Sequence, residues 1–263
     1  MIGIFDSGVG GLAVWRELLK LLPESDITYL ADTAAFPYGS KSPGFIIRRA
    51  KEITRTLCHM GARLIVVACN TATVVSIKEL RHTFPVPFVG VVPPVKVAAS
   101  TAGSRNETIF VLLTQNTAAG SKYTRLVTSW AGEKRVEAFT LPILARVVED
   151  GSFRQAQVAE SLVHTLRNKF NHQDPQKIRI VLGCTHYVFL RDLLAKALGP
   201  DIEIFDPCPA VAMQAVRILN GDPPQAGNRG KRVFLSTGDP EKFALQAGML
   251  LGIDRPEVSL IEI

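Results

Sequence analysis

Twice in this chain an apolar run stops at a cysteine and is followed at once by short hydrogen-bonding side chains. "LIVVACNTAT" reaches Cys69 and then Asn70 and Thr71; "IVLGCTHYVFL" reaches Cys184 and then Thr185 and His186. Each run reads as a buried strand (Leu64–Val67 and Ile178–Leu182), and each is followed by a helix-like stretch, the second from near Tyr187 to Leu198. A lone cysteine is usually a small buried hydrophobe. A thiol beside a helix start is different, because free N–H groups and the helix dipole favour its thiolate form. The repetition suggests two related halves whose strand ends meet in one cleft, where open α/β sheets bind their ligands.

The rest of the chain permits that architecture. Strand-like segments at Ile2–Phe5, Ile27–Ala31, Phe88–Val92, Thr108–Leu113, Glu203–Phe205 and Arg232–Ser236 alternate with helix-like ones, which predicts α/β layers with mainly parallel strands. Proline and glycine break the chain at "VVPPVK" and "NGDPPQAGNRG". The first break predicts a lobe boundary, giving one α/β lobe from residues 1–95 plus 207–263 and a second from 96–206. A hydrophobic share of 47% is that of a soluble protein, and the opening "MIGIFDSG" has neither the basic nor the long apolar region of a signal peptide. Four cysteines without C-x-x-C spacing argue against a zinc ribbon or a disulfide framework and fit a reducing cytoplasm. The net charge of +6 is scattered, and its tightest cluster, "NRGKR", is short and lacks aromatics. Nucleic acid is therefore not the expected partner, and neither is a membrane.

A third stretch, "GIFDSGVGGL", runs a strand into Asp6 and Ser7 before a glycine-rich turn and an amphipathic helix from Leu12 to Leu22. The glycines lack the spacing of a dinucleotide or Walker loop, and a carboxylate at Asp6 would repel a phosphate placed there. The same carboxylate could instead accept a proton from a neighbouring thiol or ammonium, or cap the helix.

With "FDSGVGGL", "DTAAFPYGSKS", "VACNTAT" and "GCTHY" together, the chain resembles the glutamate racemase family of the cofactor-independent aspartate/glutamate racemase superfamily over nearly its whole length. The resemblance implies two pseudo-symmetric α/β lobes with the active site in the cleft between them. It implies interconversion of L- and D-glutamate, supplying D-glutamate for peptidoglycan, without cofactor or metal and in a cytoplasmic protein, expected as a homodimer. Cys69 and Cys184 would be the two catalytic bases, Asp6 assisting the first, Glu149 and His186 the second. Substrate contacts would fall to Asp6, Ser7, Tyr38, Gly39, Asn70, Thr71, Thr117, Thr185 and His186.

The residue types suit that chemistry. Racemisation removes a weakly acidic α-proton from one face of a carbon and returns one to the other, so two acid/base groups must flank it. A thiol, with its reference pKa of about 8.5, reaches both protonation states near neutrality. A pyridoxal enzyme would need a Schiff-base lysine and a phosphate site, and no convincing pair stands out. The sequence departs from the family pattern at Ala35, where arginine is common, at Pro93 for an acidic residue, at Gly120 for serine and at Val188 for proline. Three other readings remain open: an aspartate or other amino-acid racemase, a Cys184–His186 hydrolase, and an inert paralogue kept as a binding protein.

Overall fold

A computed structural model describes residues 1–103, 107–170, 178–199, 202–219 and 230–263. Ten strands are found among them: β1 (Ile2–Asp6), β2 (Ile27–Ala31), β3 (Leu64–Val67), β4 (Phe88–Gly90), β5 (Thr108–Leu113), β6 (Arg135–Thr140), β7 (Ile178–Gly183), β8 (Glu203–Phe205), β9 (Arg232–Ser236) and β10 (Val258–Leu260). They form two sheets, β10-β9-β2-β1-β3-β4 and β6-β5-β7-β8, and every pairing is parallel. The repeat suspected from the cysteines is visible in this order, since β2-β1-β3-β4 of the first sheet matches β6-β5-β7-β8 of the second. In both sheets the cysteine follows the third strand of this shared order, β3 before Cys69 and β7 before Cys184.

Eleven α-helices accompany the described strands: α1 (Leu12–Leu21), α2 (Pro43–His59), α3 (Asn70–Thr83), α4 (Val95–Thr101), α5 (Gln115–Ala119), α6 (Ser121–Trp130), α7 (Pro142–Glu149), α8 (Ala156–Phe170), α9 (Arg191–Leu198), α10 (Cys208–Leu219) and α11 (Pro240–Leu251). Parallel pairing needs such crossovers, and covering both faces explains why β1, β2, β3, β5 and β7 are wholly buried, apolar-rich runs. One apolar core passes from Ile4 and Trp15 through Cys208 and Val211 of α10 to Tyr187 and Phe110, so the two sheets are braced against each other. Within the second unit Phe110 packs between Phe139 and Phe170, with ring centroids 5.0 and 5.1 Å away.

Some sequence expectations need correction. Arg135–Thr140 and Val258–Leu260 are strands that the sequence did not announce; both are edge strands, half-exposed and in the first case charged. The helix expected from Tyr187 is a 3₁₀ turn over Thr185–Leu190, and α9 begins only at Arg191. Strand β4 stops at Gly90, two residues short of the expected Val92, and α1 stops at Leu21. The break "NGDPPQAGNRG", apart from its last glycine, and the first two residues of "NRGKR" lie outside the described residues.

One of the departures from the family pattern has a local cause. A Cβ at Gly120 would sit 2.2 Å from Val74 Cγ1, so Val74 occupies the volume a serine would need. Val188 is buried in the shared core, and nothing in the structure explains a valine there in place of proline.

Gly151, which follows α7 with φ of 75°, turns the chain just beyond Glu149. A side chain there is strained in the left-handed region and would press on Gln246 Oε1, 2.5 Å from its Cβ. Gly151→Ala is expected to cost about 1 to 2 kcal/mol. Urea unfolding of the two proteins checks this; equal midpoints would show that the turn relaxes freely.

Candidate active site

The site is assembled where the carboxyl ends of β1, β3, β5 and β7 converge. Cys69 is the N-cap of α3: it accepts the Ala72 N–H at 3.5 Å and lies 3.8 Å from Ser7 Oγ. Asp6, at the end of the neighbouring β1, is fully buried; its Oδ1 accepts the Gly8 N–H at 2.7 Å, and its Oδ2 accepts the Thr185 hydroxyl at 3.3 Å. That second bond joins the two sheets, since Thr185 follows β7.

The other cysteine has a different neighbourhood. Cys184 Sγ lies 3.8 Å from His186 Nδ1, and His186 Nε2 lies 2.8 Å from Glu149 Oε2 at the end of α7. The same Glu149 oxygen accepts the Val9 N–H at 2.9 Å. This contact explains the glycines of "SGVGG". A Cβ at Gly8 would fall 2.2 Å from Glu149 Oε2, and one at Gly10 would fall 2.2 Å from His186 Nδ1. The loop is glycine-rich because it closes against this pair of side chains, and no phosphate need be invoked.

The electrostatics differ at the two thiols. Burial, and then the charge on Asp6, push the Cys69 thiol far above the usual range, and Cys184 is close enough to raise it further. Asp6 is itself pushed up to about 6, mainly by burial, with His186 and the Gly8 N–H acting in the opposite direction. Burial works against a charge on His186, but hydrogen bonds to Cys184 and Glu149 outweigh it and hold the ring well above the ordinary imidazole value. One sulfur thus sits beside a buried carboxyl group and the other beside an imidazole that favours its cationic form.

Two groups of hydrogen-bonding residues surround the thiols. Asn70 is 2% exposed, and neither atom of its side-chain amide has a protein partner. A buried amide with nothing to bind costs stability, and this one follows Cys69 directly, where both of its atoms are available to a ligand. Thr71 bridges the sheets, its hydroxyl 2.9 Å from Thr114 Oγ1 and 3.3 Å from Thr117 Oγ1. Tyr38 and Gly39 stand on the strap between β2 and α2; Asn116 donates to the Tyr38 carbonyl at 3.0 Å, and the Gly39 Cβ position is 3.1 Å from Thr114 Cβ. The Tyr38 hydroxyl is committed to Asp32, which also receives Arg49 and the Thr237 hydroxyl.

All the residues singled out from the sequence are therefore gathered in this one region. Thr114, Asp32 and Arg49 belong to the same network and were not foreseen. For Thr114 a signal existed: a threonine closing an apolar strand, three residues before Thr117, whose N–H it accepts as the N-cap of α5. Asp32 stands at the end of β2 as Asp6 stands at the end of β1, and it opens the stretch "DTAAFPYGSKS", whereas Arg49, which reaches it from α2, carries no local signature.

This arrangement has relatives. The profile of the Asp/Glu/hydantoin racemase family matches residues 2–215. A glutamate racemase from Herpetosiphon aurantiacus is 39% identical over 246 residues, covering 92% of this chain and 94% of that protein. One from Roseiflexus is 39% identical over 267 residues, covering 100% of this chain and 96% of the relative. Among solved structures, Escherichia coli glutamate racemase in complex with L-glutamate and the activator UDP-MurNAc-Ala superposes with a TM-score of 0.86 at 30% identity, covering 100% of this chain and 98% of that one. A glutamate racemase from Bacillus anthracis gives a TM-score of 0.86 at 29% identity, covering 100% and 97%. A match of this extent in both sequence and fold places the chain in the Asp/Glu/hydantoin racemase family.

Proposed function

We propose that this protein interconverts L- and D-glutamate by a two-base mechanism in which Cys69 and Cys184 serve opposite faces of the substrate. The observation that carries the reading is the pair of buried thiols at matching strand ends, each with its own and different ionisable neighbour. Cys184, paired with the His186–Glu149 couple, takes the α-proton from L-glutamate, while Cys69, as neutral thiol, delivers one to the other face. In the reverse direction Cys69 is the base, with Asp6 receiving or orienting its proton. Asn70, Thr71, Thr117 and Thr185, with the backbone at Ser7 and Gly39, offer donors for the two carboxylates and for the charge that develops as the α-carbon is deprotonated.

Glutamate is favoured as substrate because the relatives at 36–39% identity bear the name glutamate racemase and the similar Escherichia coli structure holds L-glutamate. A hydrolase using Cys184 and His186 leaves Cys69 and Asp6 without a task. An inert binding paralogue has no reason to carry both thiols together with Asp6, His186 and Glu149. The reading includes the division into lobes at residues 1–95 plus 207–263 and 96–206, a cytoplasmic setting, a homodimer and supply of D-glutamate to peptidoglycan. No helix among the described residues is long and apolar enough to cross a membrane.

Incubated with L-glutamate and no added cofactor, the protein is expected to bring the circular dichroism of the amino acid to zero. In deuterated water the D-glutamate formed at early times should carry deuterium at Cα, because its proton comes from a second, solvent-exchanged thiol. Product that keeps its original α-hydrogen would mean that one base serves both faces, and a constant signal would remove glutamate as the substrate.

A further inference from the structure

Glu149 is bonded to His186 at 2.8 Å, yet packing alone does little to fix its own position. The loop at Gly8 closes against one side of the carboxylate. Another side borders a cavity of about 230 Å³ whose lining also includes Phe36, Lys242 and Gln246, and the Glu149 side chain is 14% exposed. His186 is 2% exposed by comparison, with the Phe36 ring centroid 5.4 Å from its own. A carboxylate on the last residue of α7, beside an opening, is held by its hydrogen bonds and by the backbone of that turn. Whatever fixes the turn therefore fixes Cys184, His186 and Glu149 as a chain.

Gln246 of α11 reaches the turn. It is 5% exposed, and its Nε2 donates to the Asp150 carbonyl at 3.0 Å, one residue beyond Glu149. Carbonyls at the end of a helix lack partners within it, so this bond completes the end of α7. Gly151 lies against the same amide, its Cβ position 2.5 Å from Oε1. Since α7 follows β6 of one sheet and α11 follows β9 of the other, the contact crosses between the two halves. Gln246 Oε1 is buried and has no hydrogen-bond partner among the described residues. Around it on α11, Phe243, Ala247 and Leu250 are buried and apolar. An apolar side chain of similar length would fill the place without an unpaired oxygen, so packing does not account for an amide here. The donor to Asp150 does.

We infer that Gln246 is a positioning residue for the reaction, holding the end of α7 so that Glu149 keeps His186 aligned with Cys184. The inference rests on the two-thiol reading of the function. Gln246 acts through Glu149 and His186, so its loss should misplace one base by a fraction of an ångström and leave Cys69 and Asp6 as they are.

Gln246→Met removes one hydrogen bond and one unpaired oxygen together, so its melting temperature is expected near that of wild type. Its kcat/KM for glutamate should fall about five- to tenfold, equally in both directions because the equilibrium constant is one. The asymmetry lies in the isotope effects. With α-deuterated L-glutamate the primary effect on kcat/KM should rise, because abstraction by Cys184 is slower, whereas with α-deuterated D-glutamate it should stay level or fall. Gln246→Glu keeps the length and an oxygen but as a carboxylate cannot donate to Asp150, and it should show the same asymmetry. Arg154→Met cuts the exposed bond to the Met249 carbonyl, another tie between these segments, and should leave both isotope effects at their wild-type values. The inference is overturned by wild-type kinetics in the two Gln246 variants, by isotope effects that move together, by the same asymmetry in Arg154→Met, or by failure of both Gln246 variants to fold. If the wild-type protein leaves glutamate's circular dichroism constant, the reading of the substrate fails instead. The far-downfield proton NMR signal of the His186 ring, identified by its absence in His186→Asn, then decides on Gln246. It should shift or broaden in Gln246→Met, and an identical signal is the result against the inference.

Discussion

Cys69→Ala and Cys184→Ala are each expected to lower kcat/KM for glutamate in both directions by about 10³-fold or more, while the protein stays folded. The reason is serial. A proton must leave one face and another must arrive at the opposite face, and neither sulfur can reach both. The fold tolerates the changes because each thiol contributes little to it. Cys69 accepts one long hydrogen bond as the cap of α3, worth about 1 kcal/mol, and Cys184 caps nothing with its side chain. The variants separate by what they retain. Cys69→Ala still has the base assigned to L-glutamate and should exchange the α-hydrogen of that enantiomer alone with deuterated solvent, whereas Cys184→Ala should exchange only D-glutamate. Proton NMR of the α-position follows both. Racemisation at the wild-type rate in either variant would sink the two-thiol mechanism.

The sequence carried the central strands because each is buried on both faces and therefore reads as an unbroken apolar run. Where burial was partial, the signal disappeared. Strand β6 alternates charge and hydrophobe as Arg135, Val136, Glu137 and Ala138 at the edge of the second sheet, and β10 is three residues long with Leu260 exposed. Pairing made those strands, and pairing is not a local property. The site was legible in the same uneven way. Cys69 and Cys184 announced themselves by repetition, and Asp6 by standing at a strand end before glycines. Glu149 had no signal except the resemblance, since nothing around "VVEDG" reveals that α7 aims its last carboxylate at the Val9 N–H and at His186. The glycines of the first loop looked like a failed phosphate motif; their spacing is set by side chains 140 and more residues away.

Asp6→Asn should slow racemisation and yet stabilise the protein, and the two effects together test what the buried carboxyl group does. Its pKa is pushed up to about 6 from an ordinary value of 3.8, mainly because burial penalises the charge. Between those two pH values the folded state holds a proton that the unfolded state has lost, so stability falls as pH rises through this window. Near pH 7.5 the full penalty is present, about 3 kcal/mol for a shift of this size. Asparagine cannot ionise, and its oxygen can keep the Gly8 N–H while its amide faces the Thr185 hydroxyl, so the variant escapes the penalty without losing either bond. Urea unfolding at pH 4.5 and 7.5 should therefore show wild type losing ground to Asp6→Asn between the two. The same substitution removes the group that receives or orients the Cys69 proton, and kcat/KM should fall about 10²-fold in both directions, since the equilibrium constant of a racemisation is one. The primary isotope effect with α-deuterated D-glutamate should rise more than that with L-glutamate, because only the first relies on Cys69 as base. A variant that gained stability but kept wild-type activity would make Asp6 a strained structural residue. One that lost activity with no gain in stability at pH 7.5 would mean that the carboxyl group is not destabilised by burial as its surroundings require.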